Sequence, residues 1–190
     1  MKKTNLKKIY RFNEDEKVFT IEVSLDYYQE LFNDWDASPM RKRDLNPELV
    51  EYLEAASYDI PRSNKLEISF SIPVAEKNIP REKKSIDGIK NNFMTALYFI
   101  KKELNLILRK IAFFIILGFI FILTAYLTQN QTSIAVGFNV LFEGVYIGGW
   151  VLLWEAFSLF FFSMYELRKR KAMYTRFFNS NIVFSYRGQN

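Results

Sequence analysis

Hydrophobic and polar residues alternate along two short stretches of the first half of the chain. Phe19, Ile21, Val23 and Leu25 are separated by Thr20, Glu22 and Ser24. Leu66, Ile68, Phe70 and Ile72 are separated by Glu67, Ser69 and Ser71, and the run stops at Pro73. A period of two marks a half-buried strand, so each stretch predicts one. Between them Asn46-Pro47-Glu48 is a helix start: an N-cap, a proline at the first helical position and an early acid. Leu49, Val50, Leu53 and Ala56 then supply an apolar face, and the helix should stop before Pro61. A shorter helix is expected around Tyr27 to Phe32. The alternation of Ile182, Phe184 and Tyr186 with Val183, Ser185 and Arg187 predicts a further strand. A lone strand cannot satisfy its backbone, so this one is expected to join the earlier pair in one sheet.

Elsewhere the period lengthens. Ile86, Ile89, Phe93, Leu97, Ile100, Leu104, Ile107 and Ile111 recur every three or four residues, the seam of a long helix. The seam runs without a proline into Ile111–Leu127, an apolar run just long enough for the roughly 20 residues that cross a bilayer. One helix from Ser85 to Thr128 would be about 65 Å long. A second apolar run, Ile134 to Tyr165, follows the polar, uncharged Thr128–Ser133. Phe157, Phe160, Met164, Leu167, Tyr174 and Phe178 carry a similar stripe onward and read as packing residues.

The expected architecture is an α+β membrane protein, a two-helix transmembrane hairpin with long helical extensions inserted into a small cytoplasmic α+β domain. Its parts are the domain over 1–84, a stalk helix over 85–110, a first transmembrane helix over 111–128 and an outer turn over 129–133. A second transmembrane helix over 134–162, a stalk helix over 163–178 and a returning strand over 179–190 complete it.

Charge sharpens this picture. Basic residues cluster on both flanks of the apolar block: Lys101, Lys102, Arg109 and Lys110 before it, Arg168, Lys169, Arg170, Lys171 and Arg176 after it. Their position suits juxtamembrane anchors at anionic headgroups, and no nucleic-acid motif accompanies them. The positive-inside rule then puts both termini in the cytoplasm of a cell bounded by its inner (plasma) membrane. The N-terminal Met1–Lys8 segment is basic but is followed by no apolar core, so it does not read as a signal peptide.

The chain of 190 residues has no cysteine and no histidine. Disulfides, thiolate metal sites and histidine-based nucleophiles are therefore excluded. No Walker, dinucleotide-binding or nucleophile-elbow motif is present. An enzyme is not the expected class, and no cofactor is expected.

The chemistry lies instead in two acids. Between Lys110 and Glu166 the only charged residues are Glu143 and Glu155. A carboxylate at membrane depth is costly unless protonated, paired or wet, and is a functional-site hypothesis by default. Counting from the outer turn, Glu143 falls near the midplane, with Asn139 one turn earlier as a hydrogen-bonding neighbour. Glu155 falls near the inner mouth, where Arg109 or Lys110 could pair with it. Trp150 and Trp154 suit the inner headgroup belt. Gly144, Gly148 and Gly149 give a smooth face for close helix approach, through which copies of the chain could associate. Glu143 would then border the contact and be multiplied into a ring, with cations as its possible cargo.

In the domain, the loop Asn33–Asp44 packs acids, Trp35 and the bases Arg41, Lys42 and Arg43 together. It could hold a divalent ion through Asp34 and Asp36 or a phosphate through the bases. It could equally be a structured loop with Asx-turns and Trp35 tucked into the core. No metal is assigned, and any cytoplasmic partner is unidentified.

The segments Arg43–Leu53 and Glu143–Ala156 resemble a group of uncharacterised prokaryotic membrane proteins with two transmembrane helices. The resemblance implies this topology and no activity. The leading expectation is a small ion channel or transport-related homo-oligomer in the bilayer. A membrane-anchored scaffold whose domain recruits a partner is the alternative.

Overall fold

The structure, a computed structural model, describes residues 3–129 and 136–188. It is a mixed α+β chain with two long apolar helices and a four-stranded sheet. The chain divides into two compact units, Met1–Tyr98 with Ala172–Asn190, and Phe99–Lys171.

The first unit is built on the sheet. β1 (Arg11–Asn13), β2 (Val18–Ser24), β3 (Lys65–Pro73) and β4 (Asn181–Arg187) lie in that order. β1 is antiparallel to β2, whereas β2, β3 and β4 are parallel. β3 is central: Phe70 is in register with Val23 on one side and Phe184 on the other. Its alternation is realised directly, since Leu66, Ile68, Phe70 and Ile72 are buried while the intervening residues are not.

Five α-helices accompany the strands among the described residues. They are α1 (Lys3–Ile9), α2 (Pro47–Asp59), α3 (Ile79–Gln129), α4 (Val136–Ser158) and α5 (Met164–Asn179). Asn46 caps α2, its side chain accepting the Glu48 N–H at 2.9 Å, and Pro47 occupies the first turn. Asn78 does the same for α3 by accepting the Arg81 N–H at 3.0 Å. The short helix expected near Tyr27 is a single 3-10 turn, Tyr28–Leu31.

The core of this unit combines strand and helix residues. Phe93 of α3 stacks on Phe177 of α5, ring centroids 5.3 Å apart, and meets Tyr174 edge-on at 6.3 Å. Leu53, Ile68, Phe70 and Ile89 are 1% exposed or less. The segments 85–98 and 172–178, expected as stalk, therefore belong to the compact unit with the sheet. Their apolar faces complete its core.

In the second unit, Ile111, Ala156 and Met164 form a buried cluster lined by Leu104, Ile107, Phe114 and Leu159. One expectation needs correction here. Of the expected stripe Met164 and Leu167 are buried in this unit, with Ala156, and Tyr174 is buried in the first unit, with Met173 and Phe177, while Phe157, Phe160 and Phe178 are exposed. A π-helical turn, Leu159–Ser163, separates α4 from α5. Such a turn inserts a residue into the helical repeat, so a stripe drawn at constant spacing loses phase across it. The turn expected over 129–133 lies outside the described residues, apart from Gln129, the last residue of α3.

Candidate functional site

The apolar block is helical because nothing interrupts it. α4 holds no proline, and its composition is hydrophobic on every side, which suits a nonpolar environment better than a half-solvated one. Two helices are long and apolar enough to cross a membrane, and only 11% of each apolar window is buried inside the chain. A soluble core helix of that composition would be mostly buried.

α3 and α4 meet at two glycines. A Cβ built on Gly149 would lie 3.0 Å from the Gly118 carbonyl oxygen and 2.6 Å from Ile122 Cγ1. One built on Gly118 would lie 3.0 Å from the Gly149 carbonyl oxygen. Backbone thus approaches backbone, which only residues without side chains permit. Gly118 was missed in the sequence because a single glycine in an apolar run carries no spacing signal. The expected smooth face divides. Gly149 lies in the α3–α4 contact, whereas a Cβ built on Gly148 would meet only the Phe121 ring, at 3.5 Å, and one built on Gly144 would meet nothing within 4 Å.

This contact fixes where Glu143 points. Gly149 and Ala156 are buried, and Leu152 and Leu153 are half-buried, so they define the side of α4 turned toward the chain. Glu143 precedes Gly149 by six residues, a rotation of roughly 120° at 100° per residue. It falls on an outward stripe with Ile147, Trp150 and Trp154, all exposed. Among the described residues Glu143 has no hydrogen-bond or ion-pair partner. Asn139 lies in α4, but its side chain falls outside the described residues.

Glu155 is exposed as well, and among the described residues it forms no ion pair with Arg109 or Lys110. The expected pairing is therefore corrected. Glu155 sits one position before buried Ala156 and about 100° around from it, which directs it past α3. Arg109, Lys110, Arg168 and Arg170 are exposed, and Lys169 is half-buried.

The loop of the first unit is the other candidate. It is an ordered structure closed at its base, where the Asn33 N–H donates to the Asp44 carbonyl at 2.8 Å and Phe32 bridges Leu45. Asp36 accepts the Ser38 N–H at 2.9 Å and the Asp44 N–H at 2.8 Å, one on each oxygen. These hydrogen bonds, those of Ser38 first, hold its carboxyl below the usual range. Asp36 is thereby a clasp rather than half of a cation site. Arg41 pairs with Asp87 at 3.2 Å, and Arg43 Nε donates to the Ser38 carbonyl at 3.1 Å, so two of the three bases are occupied inside the loop and its support. α3 holds the loop from below: Asn92 Nδ2 donates to the Arg43 carbonyl at 2.7 Å, and Asn91 Nδ2 to the Arg41 carbonyl at 3.1 Å.

Trp35 is not in the core. It is 95% exposed, because the Asn33 side chain accepts the Trp35 N–H at 3.0 Å and turns the backbone outward. Beside the loop lies a cavity of about 290 Å³ between Asn33, Asp44, Val50 and Ala96, lined also by Phe93 and Tyr174. A larger cavity of about 690 Å³ sits at the start of β3 and β4, where acids and bases are mixed.

Three half-buried polar anchors hold the first unit, and one of them corrects an expectation, since Arg176 is turned into this unit rather than standing free as a juxtamembrane anchor. Tyr28 and Tyr186 both donate to Glu82 in the first turns of α3, and burial pushes the Tyr28 phenol up. Lys90 donates to the Phe178 and Ser180 carbonyls at the end of α5, and its burial lowers its pKa. Arg176 donates to the carbonyls of Ile60, Pro61 and Asn64, with its pKa lowered by burial and then by Arg62. Each joins segments far apart in sequence, and no local pattern announces such a pairing.

No family model, curated protein or solved structure matches the chain.

Proposed function

We propose that the protein is an integral membrane homo-oligomer, a small cation channel or transport-related assembly of the inner membrane. In this reading α3 and α4 cross the bilayer as a hairpin with both termini cytoplasmic, held by Trp150 and Trp154 and by the flanking bases. Glu143 lies along a cation pathway between copies, and Glu155 forms a second acidic level at the inner mouth.

The observation that carries the reading is the outward position of Glu143 on an apolar helix. A carboxylate facing lipid costs several kcal/mol, and intramembrane acids almost always face a bundle interior or water. A two-helix unit has no interior to offer the outer side of α4. Association of several copies supplies one, and the open surface at Gly144 beside Glu143 admits a neighbouring helix. The resemblance to two-span membrane proteins agrees with the same topology.

The test is cation flux in liposomes containing the purified chain. Glu143→Gln should leave assembly intact and alter conductance or cation preference. Absence of flux from the wild-type protein, with Glu143→Gln changing only oligomer stability, would refute the channel reading. It would favour a membrane-anchored module instead. The rigid loop that presents Trp35 supports that second reading, since an exposed tryptophan is a common anchor for a partner.

A further inference from the structure

The exposed Trp35 and the cavity beside its loop belong to one patch of surface. Asn33 lines the cavity and precedes Trp35 by two residues, so their Cα atoms are at most about 7 Å apart. The patch thus holds one projecting indole and one apolar hollow side by side. We infer that two copies of the chain dock through this patch, each inserting Trp35 into the other's cavity.

Several observations select a second copy as the occupant. A projection and a hollow on one patch are self-complementary under a two-fold axis, which isologous contacts require. Phe93, Tyr174, Val50 and Ala96 line the cavity together with Asn33, Asp44 and Asn92, a mainly apolar wall with a few polar groups that suits an indole. Its volume of about 290 Å³ is at the low end of ligand pockets and suits a single side chain better than a cofactor. Trp35 stands outside its own cavity, in a loop closed by the hydrogen bonds of Asn33 and Asp36.

Charge is complementary as well. Lys42 is exposed in the loop, and Asp44 is exposed at the mouth of the cavity. Among the described residues neither has an ion-pair partner. In the exchange Lys42 of each copy is available to pair with the second copy's Asp44 at the cavity. Around the patch Asp34, Asp36, Asp44 and Asp87 offset Arg41, Lys42 and Arg43, so no net positive field draws it to an anionic lipid surface.

The area sets the strength. One tryptophan buries about 150–250 Å². Two exchanged indoles with their rims fall short of the roughly 1,200 Å² of a stable free dimer. The contact is therefore weak in solution and effective between copies confined in one membrane, where local concentration is high. The inference deepens the self-association proposed above and rests on it.

The experiment uses the full chain in liposomes of neutral lipid at decreasing protein density. Because the chain has no cysteine, Ser63→Cys supplies one label position for energy transfer between copies. Trp35→Ala removes the projection, and Ala96→Phe or Val50→Phe fills the hollow. Each variant alone should weaken association on the order of 100-fold or more, since a central tryptophan is a hot spot and each pair has two. Mixing Trp35→Ala with a filled-cavity variant restores one complete insertion, and so should recover much of the energy transfer. In a Trp150→Phe/Trp154→Phe background, Trp35 emission should shift to the blue as density rises.

The idea fails if Trp35→Ala associates like the wild type, or if mixing restores nothing. Emission that is blue at every density points to closure within one chain, and emission that follows anionic lipid content points to the bilayer; either overturns it. If energy transfer is independent of Trp35 but still present, only the exchange falls. If the chain is monomeric throughout, the membrane assembly falls with it.

Discussion

Gly149→Ala tests the contact that orients the outward face of α4. The added methyl would lie 2.6 Å from Ile122 Cγ1, 3.0 Å from the Gly118 oxygen and 3.1 Å from the Ile122 nitrogen. Carbon contacts are comfortable at about 3.5–4.0 Å, so the methyl intrudes by about 1 Å. Ile122 can rotate its side chain away, but the two backbone atoms can yield only if the helices separate. Overpacking of this kind costs roughly 1–3 kcal/mol. Part of the cost is hidden, because alanine is the better helix former by about 1 kcal/mol. Gly144→Ala supplies the control in micelles dilute enough to keep copies apart, since within one chain its methyl meets nothing within 4 Å and only the propensity gain remains. The difference between the two variants should therefore be about 1–3 kcal/mol in favour of Gly144→Ala. Unfolding of the full chain by sodium dodecyl sulfate in mixed micelles, followed by circular dichroism, measures it. If Gly149→Ala proves as stable as Gly144→Ala, the close approach at Gly118 and Gly149 does not hold the helices together.

Two further outcomes concern the first unit. Phe93→Ala removes a ring that is 2% exposed and contacts both Tyr174 and Phe177, so thermal unfolding should show a loss of about 3–5 kcal/mol. Burial first, then the hydrogen bond to Asp59 and its charge, push the Tyr10 phenol from the ordinary value of 10.0 up to about 12. The neutral phenol is the form the fold favours, so its stabilisation is complete below pH 10 and is lost as pH rises toward 12. Tyr10→Phe should flatten that alkaline decline in a pH series of melting temperatures, and an unchanged slope would contradict the assignment.

The parts of the fold that were legible in the sequence are those written in local periodicity. Alternation at Phe19–Leu25 and Leu66–Ile72 marks β2 and β3, and Asn46-Pro47-Glu48 marks the start of α2. The seam through Ile89, Phe93, Ile100 and Ile111 marks the buried face of α3. β1 is three residues long, too short for any period to register. The parallel pairing of β4 with β3 depends on contacts across the whole chain, and no strand pattern names its neighbour. The π-helical turn falls in Leu159–Ser163, where three consecutive phenylalanines give no phase. Trp35 defied its usual burial because side-chain oxygens of Asn33 and Asp36 fix the loop around it, an arrangement decided by geometry rather than hydrophobicity.

At the candidate site, the identity of Glu143 as an isolated acid was evident from composition. Its direction was not, because that depends on which glycine the partner helix selects. Gly149 rather than Gly144 makes the contact, since Gly118 stands opposite it.

The central position of β3 has a consequence for how the chain comes to be folded. Glu67 and Asn181 are hydrogen-bonded across the β3–β4 junction yet lie 114 positions apart. At about 5–20 residues per second of synthesis, β3 waits on the order of ten seconds for its second neighbour. During that interval one edge of β3 is an open template for any passing strand. The apolar helices are made within the same interval, so the sheet can close only after they have emerged. Completion of the small domain thereby reports, in time, that the whole apolar insertion has been synthesised.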